Sequence, residues 1–400
     1  MRFSQILPWL AAAVGPVVAA DGDPWSLFTD KVVFDGRAQN LSASYPRLAE
    51  LEDGTLLATT GLFGATPAFF PVFESTDGGI HWAWVSNITD QVNGWGMSAQ
   101  PAIIELTEPL GGFPAGTVLA SGNSWHPDSS NSSTGGTKID LYASTDKART
   151  WQFVSHIAQG GAPNTTNGAT PIWEPFLMVY GRSLAAYYSD QRDPLHGQKL
   201  AHQVSTDLRT WGSVVNDVAY DLYMQRPGMT VVAHIPPIDK YILVYENPAG
   251  NSSSHGSHYP VYYRLSDSPL TFDAAEGVGI EIGGAFAPNA APYVVWSPAG
   301  GPNGTVVVSD ADYSTVYTNT AGGDPAAWQR RAVPQPSAYS RALLVFKEHP
   351  DHLMLLSGGT FDGPEPKILT ASVVSLTAVL GGDCLSSAKN TRRELCDPEG

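Results

Sequence analysis

Short apolar runs of strand length alternate with turn residues along most of the chain. Six of these runs share a proline or a polar residue near their start: "SYPRLAEL", "SAQPAIIEL", "IWEPFLMVY", "QRPGMTVVA", "NAAPYVVW" and "AYSRALLVF". Each is followed by a second apolar run: "DGTLLATTG", "AGTVLASGN", "GRSLAAYYSD", "DKYILVYEN", "NGTVVVSDA" and "DHLMLLSGG". The Gly, Asp and Asn residues that open the second runs tolerate positive φ, which a tight hairpin requires. The pattern predicts six β-hairpins.

A third kind of segment follows the hairpins and carries Ser-x-Asp and then an aromatic residue. Three copies are clear and two are degenerate: "FESTDGGIHW", "LYASTDKARTW", "HQVSTDLRTW", "YRLSDSPLTF" and "VYTNTAGGDPAAW". They resemble the Asp-box turns of sialidase-type proteins, and we expect Ser and Asp to staple a turn without taking part in catalysis. Two hairpin strands, a third strand, this turn and a fourth strand make one four-stranded unit, repeating every ~40 to 70 residues. Six units predict an all-β, six-bladed β-propeller.

The ends of the chain determine how the ring closes. The last repeat, "KILTASVVSL", has no Asp-box and no clear fourth strand, whereas "LFTDKVVFDG" near the N-terminus belongs to no repeat. We expect this N-terminal strand to complete the last blade, because closure removes an exposed sheet edge. Residues 21–400 are then a single catalytic propeller domain.

The N-terminal residues 1–20 have the layout of a secretory signal peptide, with an early Arg, an apolar middle and small residues at the end. No later stretch is apolar and long enough to span a bilayer. Secretion agrees with six Asn-x-Ser/Thr sequons, at Asn40, Asn87, Asn131, Asn164, Asn251 and Asn303. In an oxidising compartment a disulfide is expected between the two cysteines, Cys384 and Cys396. We therefore expect a soluble extracellular glycoprotein.

The net charge of the chain restricts the classes of partner that it can bind. The net charge is −16 and the pI is about 4.9, so the electrostatic field repels nucleic acid and anionic membranes. The ten histidines show no zinc-binding spacing, and no phosphate-binding glycine motif occurs. We expect a monomer without metal or cofactor that binds a neutral ligand.

The alternation of antiparallel strands places particular residues at one end of the ring. The start of each first strand and the end of each second strand lie together there, opposite the Asp-boxes. The same end receives three long loops and a group of polar and aromatic residues: Arg47, Gln100, Asn123, Glu174, Asp190, Arg226, Glu246, Asp310, Tyr339 and Arg341. Such a channel mouth is where propellers bind ligands.

Two glutamates at this mouth indicate a catalytic site. Glu174 follows "IW" and Glu246 follows "VY", which suggests matched positions on neighbouring blades. Two carboxyl groups in unlike surroundings can hold different pKa values, so that one serves as acid and the other as nucleophile or base, as in glycosidases. The alternative for each is a solvated glutamate at a strand end.

The other polar residues of the mouth have two interpretations each. Asp190 either binds a sugar hydroxyl or caps a turn. Arg47, Arg226 and Arg341 either contact substrate or pair with the acids. Tyr339 either stacks on a sugar or only lines the channel.

Four segments resemble the fungal exo-α-1,5-L-arabinanases of glycoside hydrolase family 93, which are six-bladed propellers of the sialidase superfamily. They are "SYPRLAELEDGTLLAT", "IWEPFLMVYGRSLAAYYSDQRDPLHGQKLAHQVSTDLRTWG", "LVYENPAG" and "SAYSRALLVF". The resemblance implies that arabinobiose is released from the non-reducing end of linear α-1,5-L-arabinan with retention of configuration. It also implies that Glu174 is the acid/base, that Glu246 is the nucleophile, and that Arg47, Tyr339 and Arg341 lie in the site.

Two other functions agree with parts of the pattern. A sialidase uses this fold with a Tyr nucleophile and an arginine cluster, although the entry motif here is "YPRL" and Tyr339 and Arg341 are crowded together. A sugar-binding lectin would need no carboxylate pair.

Overall fold

The structure is a computed structural model that describes residues 26–128, 136–248, 258–284, 286–359 and 367–382. The predicted signal peptide, the sequons at Asn131 and Asn251, and the pair Cys384 and Cys396 lie outside the described residues and stay predictions. Within those ranges, no helix has the length and apolar character needed to cross a bilayer.

The described strands form six antiparallel sheets of four strands each. The chain begins with β1 (Phe28–Phe34), which belongs to the last sheet. Blade one contains β2 (Ser42–Glu50), β3 (Leu56–Phe63), β4 (Phe69–Ser75) and β5 (Ala83–Thr89). Blade two contains β6 (Met97–Glu105), β7 (Val118–Trp125), β8 (Thr137–Ser144) and β9 (Gln152–Gly160). Blade three contains β10 (Ile172–Tyr180), β11 (Ser183–Asp190), β12 (Lys199–Ser205) and β13 (Val215–Val218).

The second half of the chain repeats this order. Blade four contains β14 (Gly228–Ile235), β15 (Lys240–Glu246), β16 (Val261–Ser266) and β17 (Val278–Gly279). Blade five contains β18 (Tyr293–Ser297), β19 (Thr305–Ser309), β20 (Thr315–Asn319) and β21 (Gln329–Ala332). Blade six contains β22 (Ala342–Val345), β23 (His352–Ser357) and β24 (Leu369–Ser375), followed by the helix α1 (Leu376–Gly381). Short 3₁₀ turns occur at Arg37–Gln39, Pro236–Ile238, Phe272–Ala274 and Pro325–Ala327.

The first strands of the blades surround the central channel. Each of β2, β6, β10, β14, β18 and β22 contacts the first strand of the next blade, and β22 contacts β2. In blade six, β1 is the outer strand and pairs antiparallel with β24, with Lys31 opposite Ala371 and Phe34 opposite Leu369. The six-bladed all-β architecture predicted from the repeats is therefore present.

The second strand of each blade lies within the core and is apolar on both faces. Leu57, Leu243 and Leu355 have no exposed surface, and neither do the residues on either side of each. Truncating one such leucine to alanine costs about 2 to 5 kcal/mol of stability, because the cavity cannot fully collapse. The rigid stack of blades holds the channel residues in place.

The Asp-boxes act as turn staples. Ser75 Oγ donates to Asp77 Oδ1 at 2.8 Å and accepts from the Gly79 amide at 2.9 Å. The Ser144–Asp146 and Ser205–Asp207 pairs repeat this bond at 2.7 and 3.1 Å. In the degenerate fifth copy, Asn319 Oδ1 replaces the serine and accepts from two turn amides. These turns end the third strands, on the side of the ring opposite the polar mouth.

Four predicted sequons lie within the described residues. The side chains of Asn40, Asn87 and Asn164 are exposed, and that of Asn303 is half-buried. Asn87 Oδ1 accepts a hydrogen bond from Trp84 Nε1 at 2.7 Å. Glycosylation at these positions stays a prediction.

Candidate active site

Every blade carries a backbone kink with positive φ at the start of its first strand. The residues are Tyr45, Gln100, Glu174, Met229, Ala291 and Ser340, with φ between 45° and 63°. Non-glycine residues rarely adopt this conformation. In blades one to four the strand pairing shifts register at the same place, which marks a β-bulge. Bulges re-aim side chains and often occur beside active sites. The six positive-φ residues, four of which lie in such bulges, form a row around the channel mouth and are called the bulge residues below.

Glu174 is the bulge residue of blade three and is held from three sides. Its Oε2 accepts from Ser189 Oγ at 2.6 Å and from the Met229 amide at 3.0 Å. Its Oε1 lies 3.5 Å from Gln100 Nε2. The Glu174 amide donates to Gln100 Oε1 at 3.0 Å, and Asn123 Nδ2 donates to the same oxygen at 2.7 Å. The carboxyl group is therefore fixed by blades two, three and four together.

Glu246 ends β15 and lies opposite Gly228 in blade four. Its Oε2 accepts from the Ala291 amide at 2.6 Å. A Cβ on Gly228 would lie 3.4 Å from Glu246 Oε1 and 3.2 Å from Gln198 Nε2, so the glycine leaves room for the carboxyl group. Each carboxylate thus accepts from the bulge amide of the next blade: Met229 for Glu174, Ala291 for Glu246.

The two glutamates do not occupy matched positions, which corrects the sequence-based expectation. Glu174 lies on a first strand, whereas Glu246 ends a second strand. The counterpart of Glu246 in blade three is Ser189, because Ser189 pairs with Trp173 as Glu246 pairs with Gly228, each directly before the bulge. The carboxylates meet because neighbouring blades contribute different strands.

The surroundings of the pair separate the pKa values of the two carboxyl groups. Burial and the charge of Glu174 raise the pKa of Glu246 to about 8, against the opposing effects of the Ala291 amide and Arg226. Burial also raises the pKa of Glu174, and the Ser189 hydroxyl, the Met229 amide and two arginines oppose this rise. With a pKa of about 8, Glu246 favours its protonated form at neutral pH. Glu174 accepts from more donors than Glu246 does, which favours the ionised form of Glu174 relative to that of Glu246.

Arg47 lies beside the pair without forming an ion pair with it. Its Nη1 donates to the Pro46 carbonyl at 2.7 Å and to Ser340 Oγ at 2.9 Å. The guanidinium lies 4.0 Å from the centre of the Tyr45 ring. Its charge lowers the pKa of Glu174. The structure therefore places Arg47 close to Glu174, held by contacts to Pro46 in blade one and to Ser340 in blade six.

Tyr339 forms part of an apolar wall next to the carboxylates. Its ring lies 6.2 Å from the Tyr45 ring, and both pack with Met229, Ala291 and Ala311. Burial, and then the charges of Glu246 and Glu174, raise the pKa of Tyr339 well above its usual range, so its hydroxyl stays protonated. This wall contributes to the desolvation of the pair.

Arg226 acts on the site through its charge. Its Nη1 donates to Asn167 Oδ1 at 2.5 Å, and its Nη2 donates to Gln191 Oε1 at 3.1 Å and to Gln198 Oε1 at 2.8 Å. The side chain is buried, and its positive charge lowers the pKa of both carboxyl groups. Arg226 thus lies in a cage of neutral side-chain amides and does not pair directly with the acids, and its contact with substrate stays a prediction.

Asp190 caps a turn and is not free to bind a sugar. Its two carboxylate oxygens accept from Arg192 Nε at 2.8 Å and Nη2 at 2.7 Å, and Oδ1 also accepts from the Arg192 amide at 2.9 Å. The Asp190 side chain is 3% exposed. Of the two interpretations, the structure supports turn capping, strengthened by a local ion pair.

Arg341 lies inside the protein, which corrects its placement in the site. The residue has no exposed surface, and its guanidinium donates to the carbonyl groups of Thr315 and, at 3.4 Å, Gln335. Ser340, its neighbour, has positive φ and accepts a hydrogen bond from Arg47. The charged groups that act on Arg341 are Asp310 and Tyr317 of blade five, not the two glutamates.

The hydrogen-bond donors around the carboxylates were not identified from the sequence. Ser189 stands in "YYSDQRD", where the neighbouring Asp190 attracts attention. The amides of Met229 and Ala291 have no sequence signal at all. Aligning the ends of the second strands would have placed Asn123, Ser189 and Glu246 in one column. Among the described residues, no group of three or more His, Cys, Asp or Glu side chains could hold a metal ion.

Comparison with solved structures decides the family. An α-L-arabinofuranosidase from Fusarium graminearum is 44% identical to this chain, with a TM-score of 0.83 and coverage of 88% of this chain and 99% of its own. An α-L-arabinanase from Penicillium chrysogenum is 39% identical, with the same TM-score and coverage. The Fusarium enzyme is a member of glycoside hydrolase family 93.

This chain belongs to glycoside hydrolase family 93. The family 93 hydrolase also shares its fold with a microbial sialidase, at 13% identity, a TM-score of 0.58 and coverage of 88% of this chain and 69% of the other. Both the family and the sialidase-like propeller expected from the sequence are confirmed. No protein-family model and no curated protein matches the chain.

Proposed function

We propose that this family 93 hydrolase cleaves linear α-1,5-L-arabinan from the non-reducing end and releases arabinobiose with retention of configuration. The observation that carries the proposal is the buried pair Glu174 and Glu246, whose surroundings differ: the pKa of Glu246 is raised to about 8, whereas a hydroxyl and an amide donate to Glu174. A retaining glycosidase needs one protonated and one ionised carboxyl group. The relatives from Fusarium and Penicillium, each solved with arabinobiose, support the choice of substrate.

The two carboxyl groups divide the reaction into two steps. In the first, Glu246 attacks the anomeric carbon, the glycosidic bond breaks, and Glu174 donates its proton to the departing oxygen. In the second, Glu174 takes a proton from a water molecule, whose oxygen attacks the anomeric carbon and displaces the Glu246 carboxylate. The roles are those that the family resemblance implies.

These roles require a proton to move from Glu246 to Glu174 when substrate binds. In the free enzyme the raised pKa of Glu246, about 8, favours a proton on that group, and the donors around Glu174 favour its ionised form. A glycosidic oxygen beside Glu174 accepts a hydrogen bond from its protonated form, whereas positive charge developing at the anomeric carbon stabilises ionised Glu246. Both effects transfer the proton to Glu174.

The proposal includes an extracellular location. Residues 1–20 have the layout of a secretory signal, and the substrate is a cell-wall polysaccharide that lies outside the cell. Arabinan is a neutral polymer, so the net charge of −16 does not oppose its binding. We propose that the secreted enzyme acts as a monomer.

Product analysis on debranched arabinan is the main test. We expect arabinobiose as the first and dominant product, with the anomeric configuration of the newly formed end retained in a proton NMR time course. Monosaccharide or mixed oligosaccharides as first products would contradict the exo-arabinobiose mode. Release of sialic acid from a sialoside without action on arabinan would favour the sialidase alternative, and binding of arabinan without any product would favour the lectin.

A further inference from the structure

We infer that Ser189 is a positioning residue that stabilises the ionised form of Glu174 and fixes the direction of its carboxyl group. The inference rests on the proposed function, since it assigns Ser189 a part in the work of the catalytic pair. Ser189 Oγ donates to Glu174 Oε2 at 2.6 Å, and the Met229 amide lies 3.0 Å from the same oxygen and 3.3 Å from Ser189 Oγ. A hydroxyl and an amide therefore converge on one carboxylate oxygen.

The burial of Ser189 strengthens this hydrogen bond. The residue has no exposed surface, so water cannot replace its hydroxyl as a donor. Both acceptor and donor lie in a region of low polarity, where a hydrogen bond to an ionised group is stronger than in water. Loss of the hydroxyl leaves Glu174 Oε2 with the Met229 amide alone.

The repeat supports a dedicated role for this position. Asn123 in blade two and Ser189 in blade three stand at the same place on the second strand, and each donates to the bulge residue of its own blade, Gln100 and Glu174. In blade four the same place is Glu246, which accepts from the bulge amide of the next blade. One position thus serves the row of bulge residues in three successive blades.

The charged and titratable groups around Glu174 come from several strands. They are Glu246 on β15, Arg226 before β14, Arg47 and Tyr45 on β2, Tyr259 before β16, and Tyr339 before β22. Burial raises the pKa of all three tyrosines, and arginine stays charged. Within the range from about pH 3 to 9, only the two glutamates among these groups change protonation. A shift in the pH dependence therefore reports on the pair.

The test compares Ser189→Ala with the wild type by two readouts. Carbon-13 NMR of labelled glutamate carboxyl groups follows the titration of the pair directly, with Glu174→Gln and Glu246→Gln used to assign the signals. The pH profile of kcat/KM on debranched arabinan follows the same groups through activity. In the Ser189→Ala variant we expect the pH midpoint of the Glu174 titration to rise by roughly 0.5 to 1 pH unit. The limb of the kcat/KM profile that reports on Glu174 should move to higher pH by the same amount.

Two further variants separate positioning from packing. Ser121→Ala removes a buried hydroxyl that has no hydrogen-bond partner among the described residues, on the second strand of blade two, and should leave both readouts unchanged. Ser189→Thr keeps a hydroxyl and should restore the wild-type titration. If the Ser189→Ala titration superimposes on that of the wild type, the inference is wrong. If the titration shifts but neither the wild type nor any variant cleaves arabinan, the proposed function is wrong while the positioning role of Ser189 stands.

Discussion

The Glu174 carboxyl group and the Met229 amide lie 3.0 Å apart across the boundary between blades three and four. The same relation recurs one blade further on, where the Ala291 amide donates to Glu246 at 2.6 Å. Both donors are bulge residues with positive φ. The pair of glutamates that we propose to be catalytic is therefore assembled by the ring, because each carboxyl group depends on the backbone of the following blade.

The roles of the two glutamates can be separated by chemical rescue. Replacing either with alanine should lower kcat on an aryl arabinobioside by about 100- to 10,000-fold or more, because an acid/base or a nucleophile is lost. With added azide, Glu246→Ala should regain rate and yield a glycosyl azide of inverted configuration. Glu174→Ala should yield the azide of retained configuration. The exchanged pattern would reverse the two roles while leaving the pair intact.

The pH dependence of stability should reflect the raised pKa of Glu246. Its folded-state pKa is about 8, against an ordinary value of 4.5, so the unfolded chain releases this proton first as the pH rises. The native state binds more protons in this window, and stability due to this group is therefore lost as the pH rises from about 4.5 to 8. Glu246→Gln removes the effect. Relative to the wild type, it should gain at least about 1 kcal/mol between pH 5 and pH 8.

Urea unfolding at the two pH values measures this difference. Glu52→Gln is a suitable control, because the Glu52 side chain is 77% exposed. Parallel stability curves for Glu246→Gln and the wild type would show that Glu246 ionises normally in the folded enzyme.

Arg226→Met should move the acidic limb of the kcat/KM profile to higher pH. The buried cation lowers the pKa of both carboxyl groups, and its removal leaves the oxygens of Asn167 and Gln198 without their donor, whereas Gln191 Oε1 keeps the Trp173 indole. We expect an accompanying loss of about 3 kcal/mol in unfolding free energy. Arg182→Met, at an exposed position of the turn between β10 and β11, is the control. A profile that stays in place would mean that Arg226 has only a structural role.

Asp190→Asn should weaken the fold and leave substrate binding unchanged. The carboxylate forms an ion pair and a turn cap with Arg192 inside the protein, so we expect a loss of about 1 to 3 kcal/mol in stability with KM on arabinan within twofold of the wild type. Thermal unfolding and steady-state kinetics measure the two quantities. A large rise in KM with unchanged stability would instead place Asp190 against the sugar.

Much of the fold was accessible from local patterns. Hairpin turns, Asp-box turns and apolar runs recur in a fixed order, and each depends on residues close together in the chain. The end of the ring at which Glu174 and Glu246 meet follows from strand alternation alone. The roles of Asp190 and Arg341 were harder to predict, because the order of residues along the chain does not show whether a polar side chain contacts solvent or a neighbouring blade.

The sequence by itself determined the six repeats, the polar end of the channel and the two glutamates, since all of these depend on local periodicity and turn chemistry. Only the tertiary structure decided how the glutamates are held. Tyr45, Gln100 and Glu174 precede proline, which normally favours an extended conformation, yet all three adopt positive φ because the packed ring enforces a bulge. The hydrogen-bond partners of Glu174 lie 55 and 74 residues away in the sequence, and the partner of Glu246 lies 45 residues away. Contacts over such separations are set by the packing of blades, which no local pattern encodes.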